Sequence, residues 1–123
     1  MANTPSSRKA KGRKLQNEVR DRLLKLYEGT LEPDDVRVAL MGESGEDIKL
    51  SPLARKYFPY STECKNQEKL NIWGALQQAE ENAKPGTAPL LVFRRNHSKT
   101  YVTLNFEDFL KLIFIPPNVE NKS

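Results

Sequence analysis

Glu63 and Lys65 are the two residues whose types and spacing first suggest chemistry. They lie in a β-prone segment, residues 60–65, that follows Pro59. Because side chains alternate faces along a strand, Glu63 and Lys65 share one face, while Cys64 points into the apolar interior. A carboxylate beside an ammonium could bind a metal ion and steady a phosphate or a water, although an isolated pair of this kind is more often a solvated ion pair. The rest of the chain has to decide between these two interpretations.

Two further carboxylates are expected to converge on this pair. The alternation of segment 46–50 places Asp47 on the face opposite Ile48, which points to the core. Glu18 lies beside Val19 at the edge of the apolar stripe of the first predicted helix, from which it could reach into a cleft beside the sheet. The prediction is therefore a site with three carboxylates and one lysine.

Oxygen atoms are the ligands that this sequence can offer to a metal. The chain has one Cys and one His, too few for a Cys/His zinc site, and the single Cys cannot form an internal disulfide. The carboxylates of Asp47 and Glu63 and the backbone carbonyl of Cys64 suit Mg²⁺, with Mn²⁺ as a substitute. Such an ion polarises a phosphodiester and activates a water, and Lys65 could orient that water or neutralise charge on the phosphate. This set favours phosphodiester hydrolysis.

The basic charge of the chain is concentrated near its N-terminus. The formal net charge is +4, and residues 1–30 hold eight of the 20 Lys and Arg residues but only three of the 16 Asp and Glu residues. A cluster of this kind attracts polyanions by neutralising phosphates and releasing counterions. A second basic group lies in a predicted hairpin turn, where solvation is an equally good explanation. The candidate nucleic-acid contacts are Arg8, Lys9, Lys11, Arg13, Lys14, Arg94, Arg95 and Lys99.

The elements that must position these residues follow the order α-β-β-β-α-β-β-α. Apolar spacing predicts helices over residues 14–27, 70–83 and 106–113, the last capped by Asn105. Alternating or continuous apolar runs predict strands over 36–41, 46–50, 60–65, 89–93 and 100–104, with one helical turn within 53–59. The expected fold class is α/β, with a mixed central sheet of about five strands flanked by helices.

A chain of 123 residues fits one domain. We expect that domain over residues 13–115, with a flexible basic arm over residues 1–12 and a polar tail over residues 116–123. No apolar stretch approaches the roughly 18–20 residues of a membrane helix, and the N-terminus does not read as a signal peptide. We therefore expect a cytoplasmic protein without membrane contact.

These motifs resemble the PD-(D/E)xK nuclease superfamily and, more narrowly, the archaeal-type Holliday junction resolvases and their small phage-encoded relatives. The resemblance covers residues 12–113 and rests on the element order and on three segments: Gly45-Glu46-Asp47-Ile48, Thr62-Glu63-Cys64-Lys65, and a helix with Trp73 and Gln77 or Gln78. It implies a restriction-endonuclease-like core and a Mg²⁺-dependent endodeoxyribonuclease. The resolvase branch implies a homodimer that cuts branched DNA at a four-way junction, in the host cytoplasm if the protein is virus-encoded.

By this resemblance, Asp47, Glu63 and Lys65 form the catalytic core. Glu18 completes the metal site, directly or through water. Gln77 is an auxiliary candidate on the following helix, although its neighbour could match the family's glutamine instead. The alternatives are an endonuclease on flap, duplex or single-stranded DNA, and a non-catalytic DNA-binding module of the same fold.

The sequence departs from the family's name motif at one position, because Glu46 rather than proline precedes Asp47. A literal Pro33-Asp34 lies upstream, in a predicted turn, and Asp34 is the less favoured alternative to Asp47.

Three residues with reactive or aromatic side chains receive less specific interpretations. His97 is interpreted as a turn residue near DNA rather than a general base, since nothing nearby in sequence orients it. Trp73 is interpreted as a core or dimer-interface residue. Cys64 is expected to be buried and not a nucleophile.

Overall fold

The computed structural model describes residues 4–114, and within them the chain folds as a mixed α/β domain with the predicted order of helices and strands. The elements are α1 (Pro5–Leu26), a 3₁₀ turn (Pro33–Asp35), β1 (Val36–Val38), β2 (Ile48–Leu50), α2 (Pro52–Tyr57), β3 (Tyr60–Asn66), α3 (Ile72–Glu81), β4 (Ala88–Arg94), β5 (Tyr101–Thr103) and α4 (Phe106–Ile113). The single helical turn expected within 53–59 is α2. No helix in this part of the chain is long and apolar enough to cross a membrane.

The strands form two sheets, so the prediction of one sheet of about five strands is not confirmed. β1 pairs antiparallel with β2, and β3 pairs parallel with β4, which pairs antiparallel with β5. One backbone hydrogen bond joins the sheets, from the Asp47 N–H to the Thr62 carbonyl, at 2.9 Å. The next N–H on this edge of β3 is that of Cys64. It donates to the Asp47 side chain instead of a backbone carbonyl, at 2.8 Å. The backbone hydrogen bonding between the two sheets therefore stops after one bond, and the Asp47 side chain accepts the next one.

The main core lies between α1 and the two sheets. Leu15 and Leu23 of α1 are buried in one cluster with Ile48, Cys64 and Val92. Fully burying a leucine side chain contributes about 1.5–3 kcal/mol. The apolar stripe predicted from the spacing in α1 is thus the surface that holds the helix on the sheets.

The opposite face of the larger sheet is covered by α3, which connects the parallel strands β3 and β4. Ala75 and Ala79 are the buried side chains of this helix, and their small size allows close approach to β4. Leu91 and Val92 are neighbours that point to opposite faces, and both are buried. The prediction that this strand is covered on both faces is therefore confirmed.

Helix α1 begins nine residues before the position expected from apolar spacing. The prediction of a flexible arm over 1–12 is wrong for residues 5–12, which are helical. The Thr4 side chain caps the helix by accepting from the Ser7 N–H at 3.1 Å, and Pro5 occupies the first turn, where its missing N–H costs nothing. Capping rather than apolar periodicity starts this helix. The predicted tail, residues 116–123, lies outside the described residues.

Helix α4 has the predicted bounds and the predicted cap, since Asn105 Oδ1 accepts from the Asp108 N–H at 2.8 Å. No side chain of this helix is buried. Its apolar residues Phe106, Phe109, Leu110 and Ile113 recur at helical spacing and are 41–72% exposed. α4 therefore presents an apolar face without a covering layer in this part of the chain.

Candidate active site

Glu63 and Lys65 lie on the α3 side of β3, as strand alternation predicted. Glu63 is 4% exposed, and its Oε2 lies 3.7 Å from Lys65 Nζ. Its other oxygen, Oε1, accepts a hydrogen bond from Asn82 Nδ2 at 3.3 Å. One oxygen of Glu63 thus has a hydrogen-bond donor, and the other lies within ion-pair distance of an ammonium.

Asp47 lies immediately before β2, at the point where the two sheets meet. Its backbone N–H donates to Thr62 and its Oδ2 accepts from the Cys64 N–H, so both contacts fix it against β3. Burial raises the pKa of the Asp47 carboxyl above its usual value, although the Cys64 N–H and the charge of Lys65 act in the opposite direction. The carboxylate is placed next to Glu63 by backbone geometry, before any metal is bound.

The two carboxylates lie close enough to affect one another electrostatically. Burial raises the pKa of the Glu63 carboxyl, and the charge of Asp47 raises it further, against the opposing effects of Asn82 and Lys65. The positive charge of Lys65 acts on both acids, and the charge of Lys49 also acts on Asp47. With both acids ionised, the site has an excess negative charge that a bound cation would neutralise.

The donor atoms of this site fit a hard divalent ion. In a strand the N–H and C=O of one residue point to the same edge, so the Cys64 carbonyl is directed toward Asp47 and away from β4. Two carboxylates and one carbonyl are oxygen ligands of the kind that Mg²⁺ and Mn²⁺ prefer. Among residues 4–114, however, no three His, Cys, Asp or Glu side chains come together as a metal-binding group. The predicted third carboxylate is thus missing from the site.

Glu18 is the predicted residue that the structure places elsewhere. Its Oε2 accepts from Arg22 Nη1 at 3.1 Å and from Thr100 Oγ1 at 3.0 Å, and its Oε1 lies 3.7 Å from Arg94 Nη1. These partners lie on the α1 side of the sheet, whereas Glu63 faces α3. The assignment of Glu18 to the metal site is therefore corrected.

Gln16 is the residue of α1 that reaches Asp47. Its side chain lies within hydrogen-bonding reach of the Asp47 carboxylate and counters the rise in the pKa of that group. Successive helical residues are rotated by about 100°, so Gln16 and Glu18 flank opposite edges of the stripe that contains Leu15. The sequence signal for this contact is the edge of the apolar stripe opposite Glu18, where the amide of Gln16 faces Asp47.

A carboxamide also approaches Glu63 from α3, and it is that of Asn82 rather than that of the auxiliary candidate Gln77. Gln77 donates to Glu81 Oε2 at 3.1 Å on the exposed surface, and Gln78 is exposed as well. Asn82, the C-cap of α3, provides the contact with Glu63 instead. An asparagine at a helix end is ordinarily interpreted as a cap, which is why its position gave no functional signal.

Glu46, which stands where the name motif has proline, has a structural role. It is 3% exposed and forms a double hydrogen bond with Arg55, at 3.1 and 2.9 Å. Arg55 also donates to the Tyr60 carbonyl at 2.9 Å, which ties α2 to the start of β3. The alternative acid, Asp34, lies exposed on the 3₁₀ turn.

The basic residues of α1 lie on both flanks of that helix. Lys9 and Arg13 line a cleft of about 350 Å³, here named the carboxylate cleft, whose opposite wall is the loop 39–43 and which reaches Gln16 and Asp47. Lys11 and Lys14 line a second cleft on the other flank. Of the remaining candidate contacts, Arg8 lies beside Lys11, Arg94 lines the second cleft, and Arg95 and Lys99 are exposed in the hairpin turn.

His97 and Trp73 are exposed, whereas Cys64 is buried. His97 is exposed in the turn between β4 and β5, with a left-handed φ of 63°. Trp73 is 77% exposed, so it is not a core residue, and its alternative interpretation as a dimer-interface residue stays a prediction. Cys64 is buried as expected, and burial raises the pKa of its thiol well above the usual value, which argues against a nucleophile.

An α/β fold that brings together one carboxylate just before a strand with a carboxylate and a lysine on the next strand is typical of the class of PD-(D/E)xK nucleases. Within that class, the chain belongs to the family described as "Phage putative PDDEXK endonuclease", whose family model matches residues 7–116. The resemblance to this superfamily and to phage relatives is thereby confirmed. No curated protein and no solved structure matches the chain significantly.

Proposed function

We propose that this phage-type nuclease is a metal-dependent, structure-specific DNA endonuclease whose preferred substrate is a four-way junction. The observation that supports it most directly is the pair formed by the half-buried Asp47 and the buried Glu63, which repel each other and are both acted on by the charge of Lys65. The carboxylates of Glu18, Glu43 and Glu46, by contrast, each contact an arginine. A pair left without that compensation is suited to a divalent cation.

Asp47, Glu63 and the Cys64 carbonyl would hold the ion, and Gln16 would orient Asp47 from the side of α1. When bound, Mg²⁺ or Mn²⁺ polarises the phosphoryl oxygens and lowers the pKa of a coordinated water. Lys65 then donates hydrogen bonds to the attacked phosphate or the attacking water and offsets the charge that develops there. Lys9 and Arg13 bind the phosphates that flank the scissile bond, because they line the cleft that reaches Asp47.

The junction substrate rests on the resemblance to resolvases, so alternatives within the enzyme class are part of the test. The same site would cut flap, duplex or single-stranded DNA if the binding surface presented those forms instead. In a different class, a non-catalytic module would keep the fold and bind DNA without hydrolysis. In each case, the proposed place of action is the host cytoplasm, where the DNA substrate of a phage enzyme lies.

The deciding experiment incubates the purified protein with a four-way junction, a flap and a linear duplex of matched sequence, in Mg²⁺ and in Mn²⁺. Fastest cleavage of the junction supports the resolvase assignment, and an equal or faster rate on another form replaces it. Intact DNA under every condition would refute the enzyme.

Lys65→Ala is the matched active-site variant, and Lys56→Ala on α2, which is exposed, is its control. We expect Lys65→Ala to abolish cleavage while junction binding stays measurable, and Lys56→Ala to leave both unchanged. If Asp47→Asn and Glu63→Gln leave every activity unchanged, the non-catalytic module is the correct function.

A homodimer is the proposed assembly, with α4 as its contact surface. In the chain, α4 directly follows β5, the edge strand of its sheet, where Tyr101 and Val102 are 54% and 58% exposed. Two antiparallel copies of α4 would place Glu107 of each opposite Lys111 of the other, which is the self-complementarity that a two-fold interface requires. Contiguous patches of exposed apolar side chains mark association sites.

Sedimentation of the wild-type chain should report a dimer, and Phe109→Glu should convert it to a monomer. Leu53→Glu, on an exposed apolar residue of α2, is the control and should stay dimeric. Trp73→Ser tests the other exposed aromatic; a monomer from this variant and a dimer from Phe109→Glu would move the interface to α3.

A further inference from the structure

The N-terminal half of α1 is a basic rod that stands out from the core. Residues 5–17 contain five Lys or Arg residues and no Asp or Glu. Leu15 is the first buried side chain of the helix, so nearly three turns, roughly 15 Å, precede the core contact. This part of α1 is held by polar contacts instead of apolar packing.

The second cleft beside this rod, here named the hairpin cleft, has a volume of about 350 Å³. Its walls are α1 and the turn between β4 and β5. The cations that line it are Lys11, Lys14 and Arg94, with the imidazole of His97 beside them. The acid in its lining is Glu18, whose oxygens already contact Arg22, Arg94 and Thr100. The cleft therefore has surplus positive charge.

The hairpin cleft is braced in the free protein. Glu68 Oε2 accepts from the Asn96 N–H at 2.6 Å and lies 3.5 Å from Lys11 Nζ, so that it links the hairpin turn to α1. Asn66 Nδ2 donates to the Lys11 carbonyl at 3.0 Å, which ties β3 to the same turn of the helix. A ligand would meet a preformed surface and would lose little binding energy to ordering it.

The two clefts lie on opposite sides of the rod. At about 100° per residue, Lys9 and Arg13 project to one flank and Lys11 to the other, while Ser6 and Ala10 form the outer ridge between them. Both ridge side chains are small and exposed. An α-helix is about 10–12 Å across, and the major groove of B-DNA, about 12 Å wide, admits one.

We propose that residues 5–17 of α1 seat in the major groove of a duplex DNA arm and contact the phosphates of both strands. Lys9 and Arg13 bind the strand that enters the carboxylate cleft, and Lys11, Lys14, Arg94 and His97 bind the opposite strand. That the first strand is the one cut rests on the proposed function; the two-strand contact does not. Duplex DNA, alone or as the arm of a branch, is thus the form that the protein binds most tightly.

The first test measures binding without divalent metal, so that its outcome is independent of catalysis. Lys14→Ala with His97→Asn removes two contacts to the opposite strand; asparagine tolerates the left-handed backbone at position 97. We expect roughly tenfold weaker binding to duplex and little change for single-stranded DNA. The slope of log affinity against log salt should fall by about one, for the lost lysine contact. Lys25→Ala, at the exposed far end of α1, is the control.

Equal loss on duplex and single-stranded DNA, or no loss on either, would overturn the two-strand contact. The second test uses guanines methylated at N7, which block the major groove, and adenines methylated at N3, which block the minor groove. Interference by the first set supports the proposal, and interference by the second set alone contradicts it. If the wild-type chain binds in this way but cuts no DNA, the proposed nuclease fails and the groove contact stands.

Discussion

In two neighbouring regions of this molecule, the carboxylates differ in whether an arginine neutralises them. In the turn that joins β1 to β2, Glu43 and Glu46 are each held by one arginine, Arg37 and Arg55, with nitrogen–oxygen distances of 2.9 Å. One residue farther along the chain, at the junction of the sheets, Asp47 is not matched with an arginine. It shares Lys65 with Glu63 instead.

This difference shows what separates a structural acid from a candidate metal ligand. A guanidinium occupies both oxygens of a carboxylate, which neutralises the charge and leaves little room for an ion. The ammonium of Lys65, placed beside the buried Glu63 and acting on the half-buried Asp47, does neither. Glu46 and Asp47 are adjacent in sequence just before β2, but Glu46 contacts Arg55 whereas Asp47 accepts from the Cys64 N–H.

The largest expected effect is on the arginine-paired side. Arg55→Ala leaves Glu46 buried without its partner and removes the bond to the Tyr60 carbonyl, so we expect a loss of about 3–5 kcal/mol in the free energy of unfolding. Urea denaturation measures it. Arg37→Ala, in the exposed pair with Glu43, is the comparison and should cost much less. Equal losses would mean that burial does not distinguish the two pairs.

Next in size is the effect of the unpaired acids on catalysis. Asp47→Asn removes one of the two charges at the site, and we expect cleavage of any DNA substrate to fall about 10²–10³-fold. Glu18→Gln, which changes an arginine-bound carboxylate, should alter linear-duplex cleavage by less than about threefold. A large loss in Glu18→Gln would restore that residue to the metal site and erase the distinction drawn between them.

A smaller effect is expected for the carboxamide that orients Asp47. Groups that hold metal ligands in place typically change metal affinity by about 10–100-fold when removed. Gln16→Ala should therefore raise the Mg²⁺ concentration needed for half-maximal cleavage by about tenfold, with the maximal rate less affected. Asn17→Ala, one position along α1, is the control. An unchanged Mg²⁺ requirement would show that the backbone alone positions Asp47.

The smallest effect, and the one most specific to the comparison, is the pH dependence of stability without metal. Because burial raises the pKa of the Asp47 and Glu63 carboxyls, the folded chain holds their protons more tightly than the unfolded chain. The stability that they contribute is present below their ordinary pKa and is lost as the pH rises past the raised values.

Glu43 should behave in the opposite sense. Arg37 and the Leu40 N–H lower the pKa of its carboxyl to about 2, so its contribution is present above the ordinary pKa and is lost as the pH falls toward about 2. Thermal unfolding from pH 2 to 7 measures both effects. Glu63→Gln should stabilise the chain at neutral pH and Glu43→Gln should destabilise it there; the same sign for both variants would contradict the assignment.

The sequence predicts the order of the elements and the positions of Asp47, Glu63 and Lys65, because helical and strand periodicities are local properties. The facing of a residue on a strand depends only on its neighbours, such as Ile48 and Cys64. The three-residue length of β1 and β2, and the end of their ladder at the Asp47 side chain, depend on the packed structure. No local pattern predicted two sheets in place of one.

The errors at the site have the same origin. Gln16 and Glu18 flank one buried stripe symmetrically, and only the packing of β2 against one side of α1 decides which of them meets Asp47. Asn82 ends α3 and approaches Glu63 because that helix crosses β3, which its own sequence does not encode. The N-terminal cap of α1, by contrast, is a local property: Thr4 followed by Pro5 is a sequence pattern that predicts a helix start at this point.

The single cysteine gives this chain a built-in reporter. Cys64 lies between Glu63 and Lys65 on β3 and is 6% exposed, so a thiol reagent can reach it only when β3 separates from α1. Its labelling rate in the native protein therefore measures the frequency of that opening, with no second thiol to confuse the signal. A bound divalent ion or DNA that slows the labelling would reveal, without any cleavage assay, how strongly each ligand holds the strand in place.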